Sequence, residues 1–378
     1  MTNGHTPFRY DYVGSFLRPQ KLLDAREKFS NKEITHDELK AIEDEAILDL
    51  IAKLKKAGYH VITDGEFRRA WFHLDFFWGL HGISYHSRPS TKPILDFKGS
   101  SIKLEEAVLS GKISGENHPF VEHFKFVKAQ EDENTVAKQT IPSPTQLLWQ
   151  LSLPEFAEAN KKIYPNVEDL KDDIVKAYRQ VISDLYDAGC RNVQLDDATW
   201  TLYADKSKWN IYHLDDEKYK VLAESFLEFN NRVLADWPKD LVINVHVCRG
   251  NVRSHGVATG GYDLEAPYLF NENANAFYLE YDDERSGNFE PLKYVPEGKK
   301  VVLGLITSKR PELEDEETVI RRIHEAAKYV PLENLYLSPQ CGFATTKEGN
   351  LLTEEQQFSK LALVKKIAEE VWDDADRF

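Results

Sequence analysis

One unit, repeated along the chain, restricts the fold more than any other feature: an amphipathic helix, a glycine stop, a short buried strand and an acidic strand end. Thr35-His36-Asp37-Glu38 has the hydroxyl and the carboxylate three residues later that form a capping box, and it opens an apolar stripe at Leu39, Ile42, Ala46, Leu50 and Leu54. Ala57-Gly58 ends that helix, because glycine accepts the left-handed backbone found at helix C-termini. Tyr59 to Thr63 then reads as a strand running into Asp64-Gly65-Glu66. The same order recurs where Leu170, Ile174, Ala177, Val181 and Leu185 form a stripe, Ala188-Gly189 stops it, and Val193-Gln194-Leu195 leads into Asp196-Asp197.

Further strands are predicted near Tyr10 to Val13, Val136 to Ile141, Leu241 to His246, Phe277 to Tyr281, Val301 to Leu305 and Leu335 to Leu337. That makes eight strands, most of them separated by enough residues for a helix, and eight such units predict a TIM barrel. The span from about Leu80 to Asn134 fits the repeat least well. Its short pieces at Ile94 to Phe97, Ile102 to Leu104 and Phe124 to Val127 predict a β-rich excursion over one end of the barrel. No Gly/Ser linker or shift of composition marks a second domain, so residues 1–378 are read as one unit.

Charge narrows the partners. With 48 basic and 63 acidic residues the net charge is −15, and neither nucleic acid nor an anionic membrane offers such a surface a favourable exchange of counterions. No window has the eighteen or so uninterrupted apolar residues of a membrane span. The N-terminus, Met1-Thr2-Asn3-Gly4-His5-Thr6-Pro7-Phe8, has none of the regions of a secretory signal, so a cytoplasmic protein acting on small molecules is expected. Three cysteines in a reducing compartment are then metal ligands, nucleophiles or core residues rather than disulfides.

In a barrel the chemistry gathers at the C-terminal strand ends, and here those positions hold Ser15, Glu66, Asp196, His246, Cys248, Glu280 and Cys341. His246 and Cys248 are two apart on an extended segment, so both side chains fall on one face. Two thiolates with an imidazole and a carboxylate oxygen suit zinc better than magnesium or calcium. Cys190 follows a helix stop, at the opposite end of its strand, and is expected to be core. Asp64 and Asp196 also read as ordinary strand-end carboxylates bonding a loop. Arg68 and Arg69 suit either a carboxylate-bearing substrate or a solvated pair. The aromatic run from Trp71 to Trp78 reads as packing, with a stacked ligand as the lesser reading. No glycine-rich phosphate loop is present.

Six segments, Val13-Gly14-Ser15-Phe16, Asp64-Gly65-Glu66, Val193-Gln194-Leu195-Asp196, His246-Val247-Cys248, Leu279-Glu280 and Pro339-Gln340-Cys341-Gly342, resemble in order and character the catalytic half of cobalamin-independent methionine synthase. The likeness covers nearly the whole chain and is greatest to the short, single-barrel members. It implies a zinc-dependent transfer of a methyl group to the thiolate of homocysteine, giving methionine. His246, Cys248, Glu280 and Cys341 would hold Zn2+, with Asp282 as an alternative to Glu280. Ser15, Glu66 and Asp196 would hold the amino acid, and Trp149 is a loose match to a tryptophan beside the pterin of a folate donor. Full-length members also have an N-terminal half that helps to bind the polyglutamate tail, for which 378 residues leave no room. The donor is therefore open between methyltetrahydrofolate and something simpler. Where those members carry a histidine that protonates the leaving nitrogen, this sequence has Lys309, a candidate proton donor. Alternative readings are alkylation of another thiol, of the coenzyme M type, and a non-catalytic zinc-binding barrel.

Overall fold

The computed structural model describes residues 4–87 and 105–378. In chain order its strands are β1 (Val61–Ile62), β2 (His81–Ser87), β3 (Glu105–Ser114), β4 (Val136–Ala137), β5 (Gln139–Pro142), β6 (Asn192–Asp197), β7 (Val242–Val247), β8 (Asn251–Val252), β9 (His255–Gly256), β10 (Ala276–Glu280), β11 (Lys300–Ile306) and β12 (Leu335–Pro339). Six of them form one parallel sheet in the order β12-β11-β10-β7-β6-β5. The two-stranded parallel pair β1-β4 continues from the β5 edge, since β4 runs almost directly into β5. The first segment adds a parallel bridge between Tyr10 and Leu337 on the β12 side, and the amide of Phe16 donates to the carbonyl of Gly65 at 3.1 Å. The eight expected strand positions thus close into a TIM barrel.

Local chemistry explains the repeat. The helix His36–Lys56 begins at Thr35, whose hydroxyl accepts from the amide of Glu38 while Glu38 returns a bond to the Thr35 amide. Such a cap stabilises a helix by about 1 kcal/mol. The stripe on this helix buries Leu39, Ile47, Leu50 and Leu54, and Gly58 turns the chain at φ +79° into β1. In the second unit the helix Val167–Asp187 buries Leu170, Ile174, Ala177, Val181 and Leu185, and Gly189 at φ +93° leads to β6, all six residues of which are buried. Inside the barrel Lys138, just before β5, pairs with Asp11 at 3.1 Å, and Tyr278 donates to the same carboxylate at 2.8 Å, so the buried charge has a partner.

The excursion is partly β. Strands β2 and β3 form an antiparallel hairpin that packs on the helix Val167–Asp187: a Cβ on Gly115 would meet the carbonyl oxygen of Ala177 at 2.2 Å. The expected pieces at Ile94 to Phe97 and Ile102 to Leu104 lie outside the described residues. Phe124 to Val127 is not β. It lies in the helix Pro119–Lys128, whose buried Phe120, Phe124 and Val127 follow helical spacing, with His118 as the cap and proline in the first turn. Among the described residues no helix is long and apolar enough to cross a membrane.

Candidate metal and thiol site

Strands β7 and β10 and the turn after β12 bring four side chains together. His246, Cys248, Glu280 and Cys341 are all buried, and one ligand atom from each lies within 4.8 Å of the others. The two sulfurs are 3.8 Å apart and both thiols are free. Neither ring nitrogen of His246 has a hydrogen-bond partner, and burial holds that imidazole neutral, with its pKa pushed down to about 3. One oxygen of Glu280 accepts from the amide of Arg249 at 2.8 Å and the other has no partner. Burial, against the pull of Lys309, pushes the Glu280 carboxyl up to about 7. The Cys341 thiol is driven up by its neighbour Cys248 and by burial. Unpartnered nitrogen and oxygen atoms converging with two thiols in a buried site form an unfavourable arrangement on their own and the normal donor set for a soft divalent cation. The residues present therefore fit zinc.

Beside this cluster is a small cavity lined by Ser15, Glu66, Asp196, His246, Cys248 and Cys341, together with Phe72 and Thr345. Glu66 follows Gly65 in a left-handed turn, at φ +62°, a conformation costing a non-glycine residue about 1–2 kcal/mol. Neighbours hold it there: its amide donates to Asp64 at 2.8 Å, Arg18 donates to its carbonyl at 2.8 Å, and Thr140 and Arg69 reach one carboxylate oxygen at 2.9 and 3.2 Å. The other oxygen has no partner. Asp196 stands beside His246 in the β6–β7 register and accepts from Gln194 at 2.8 Å. Burial, and then the Glu66 carboxylate, push its pKa up to about 8; burial raises Glu66 as well. Ser15 lies against Gly342, whose absent Cβ would stand 1.9 Å from the Ser15 hydroxyl.

A second, larger pocket opens from the same place, sharing Phe72, Cys248 and Thr345 with the first. Trp71 and Trp149 are among its walls. Its roof is two loops tied together, the Phe72 amide donating to Thr345 at 3.0 Å and the Lys347 amide to Ala70 at 2.8 Å.

Several expected residues sit elsewhere. Lys309 lines neither cavity; its ammonium is 2.6 Å from Asp282 and 3.5 Å from Asp283. Asp282 is outside the metal cluster because β10 ends at Glu280 and the next turn commits Asp282 to Lys309. The side chains of Arg68 and Arg69 are buried rather than a solvated pair, and both are engaged within the protein: Arg68 by Glu43 and Asp44, and Arg69 by Glu66 and the carbonyl of Thr140. Asp64 is the loop-bonding strand-end carboxylate. Cys190 is in the core, its thiol pushed up to about 12 by burial. The aromatic run divides, Phe76 and Phe77 being core while Trp71 and Phe72 line the larger pocket. Thr345 was absent from the expected site, and Phe72 entered only within an aromatic run read mainly as packing; the loop pairing that brings these two together has no local sequence signal.

Residues 165–370 match the family model for the catalytic domain of cobalamin-independent synthase. The chain is 44% identical to the uncharacterized protein YxjH of Bacillus subtilis (strain 168), over 97% of this chain and 95% of that protein. Among solved structures, one from Listeria monocytogenes described as a vitamin-B12 independent methionine synthase superposes with a TM-score of 0.75 at 39% identity, covering 97% of this chain and 98% of that one. A B12-independent methionine synthase from Shewanella sp. W3-18-1, solved in complex with selenomethionine, gives a TM-score of 0.71 at 20% identity over 97% and 98% of the two chains, a likeness of fold.

Proposed function

This chain belongs to the cobalamin-independent methionine synthase catalytic-domain family, and from that premise we propose that it methylates the sulfur of homocysteine with zinc held by His246, Cys248, Glu280 and Cys341. The observation that carries the reading is the joint one: a four-atom donor set within 4.8 Å opens onto a cavity whose other wall is Glu66 and Asp196. When bound, zinc would ionise a thiol at neutral pH and fix its sulfur.

The chain's own groups select and orient the amino acid. Glu66 and Asp196 are buried carboxylates, each with its proton affinity raised first by burial, and the Glu66 carboxylate adds to the rise at Asp196; a substrate ammonium placed between them offsets that burial and repulsion. The unpartnered oxygen of Glu66 is available to it. A simple alkyl thiol leaves that pair unanswered, which is costly in a closed site and favours homocysteine over a thiol of the coenzyme M type. Ser15, pinned against Gly342, supplies its hydroxyl and backbone to the amino-acid end. Phe72 and Thr345 divide the thiol cavity from the larger pocket, so a methyl group carried in that pocket approaches from the Cys248 side. We assign residues 1–378 to one catalytic barrel working on small molecules in the cytoplasm. Zinc-loaded protein supplied with homocysteine and a panel of methyl donors is expected to form methionine; equal turnover with a bare alkyl thiol would overturn the amino-acid assignment.

A further inference from the structure

Resting on that reading, we infer that the methyl donor is a sulfonium cation rather than a folate carrying a polyanionic tail. The larger pocket reaches the Cys248 side of the site, and its chemistry is one-sided. Aromatic and aliphatic groups, including Trp71, Phe72 and Trp149, make most of its wall. Among the described residues no lysine or arginine lines it, and two carboxylates, Glu105 and Glu106, do. Glu105 is fixed in place, accepting from the indole of Trp71 at 2.6 Å and the hydroxyl of Tyr85 at 3.2 Å; Glu106 meets His86 at 3.1 Å. His73 also lines the pocket, and burial keeps its ring neutral. Aromatic faces with carboxylates attract cations, and repel a chain of carboxylates.

The leaving group points the same way. In transfer from a folate amine, the nitrogen must pick up a proton as its bond to the methyl carbon breaks. Lys309 is outside the pocket and bound by Asp282 and Asp283. A sulfonium needs no such proton: the new bond forms between the substrate thiolate and the methyl carbon, the old carbon–sulfur pair returns to the positive sulfur, and a neutral thioether leaves. Charge cancels between the anionic thiolate and the cationic sulfonium centre. A quaternary ammonium donor has the same electrostatics but expels an amine, a poorer leaving group than a thioether.

The test uses the zinc-loaded full chain with homocysteine and five donors: S-methylmethionine, dimethylsulfonioacetate, glycine betaine, methylcobalamin and methyltetrahydrofolate as its mono- and triglutamate. The expected result is kcat/KM for a sulfonium at least about a hundredfold above either folate, the usual scale of a missing general acid. Glu105→Gln is expected to raise the sulfonium KM about tenfold, a loss of charge attraction, leaving zinc content and homocysteine KM as they were. Turnover with a folate or methylcobalamin and none with either sulfonium overturns the inference and leaves homocysteine methylation standing. Turnover with glycine betaine alone overturns the assignment to sulfur. Methionine from no donor, together with no proton release when homocysteine is added to the zinc-loaded protein, overturns the reading beneath it.

Discussion

Replacing Lys309 by methionine separates two roles that its place after the seventh barrel strand allows. Its ammonium is buried, 2.6 Å from a fully buried Asp282 carboxylate, so removing it strands a charge inside the protein. Breaking one partner of such a pair destabilises by about 3–5 kcal/mol. Unfolding entropy of about 2.1 cal/mol/K per residue, over 378 residues, is roughly 0.8 kcal/mol/K, so the expected fall in Tm is about 4–6 °C. The double variant Lys309→Met with Asp282→Asn removes the stranded charge and is expected to recover most of that loss. Differential scanning calorimetry reads the stability, and methyl transfer measured at least ten degrees or so below the variant's Tm reads the chemistry, where a fall of no more than several-fold is expected. An unchanged Tm with kcat reduced a hundredfold or more would refute this reasoning and make Lys309 the proton donor, since losses of that size accompany a missing general acid.

Metal analysis of the purified protein is expected to give about one zinc per chain and almost none in the His246→Ala, Cys341→Ala double variant, which has lost two of four donors. Gly342→Ala places a methyl group against the Ser15 hydroxyl and is expected to lower kcat/KM for homocysteine about a hundredfold through misplacement alone, with zinc content unchanged; an unaltered homocysteine KM would remove Ser15 from the binding site. Glu272 is buried, accepts from Trp200 at 3.0 Å and Asn230 at 2.6 Å, and has its pKa pushed up to about 8, chiefly by burial. The folded state therefore keeps a proton that the unfolded chain releases above its ordinary carboxyl range, and stability should decline as pH rises from about 5 to 8. Glu272→Gln should flatten that decline in urea titrations, and parallel curves for the two proteins would show that Glu272 does not cause it.

Much of the barrel was legible because its information is local. A capping threonine, a helical stripe and a glycine stop each act within a few residues, and together they placed the strand starts at Tyr59 and Val193, within two residues of Val61 and Asn192 where the strands begin. His246 and Cys248 were legible for the same reason, since two residues of extended chain are enough to place them on one face. What failed depended on distant partners. Arg68 and Arg69 read as a receiver for a carboxylate-bearing substrate or as a solvated pair because nothing nearby in sequence announces Glu43, Asp44 or the Thr140 carbonyl. Asp282 read as equivalent to Glu280 because strand alternation was extended past the point where Lys309 pulls the chain away. Phe124 to Val127 was a different kind of error: its residues carry a helical period from Phe120 onward, and the local β propensity of Phe and Val outweighed it.

The site draws its parts from both ends of the chain, and that has a consequence for biosynthesis. Ser15 and Glu66 leave the ribosome early, whereas Cys341, the last of the four clustered side chains, follows the strand whose Leu337 also bridges to Tyr10 and shuts the ring. A nascent chain short of that point has His246, Cys248 and Glu280 but neither the fourth donor nor a closed wall behind them. Tight capture of the ion and closure of the barrel thus fall at the same late moment of translation, and a prematurely terminated product is left without a finished metal centre.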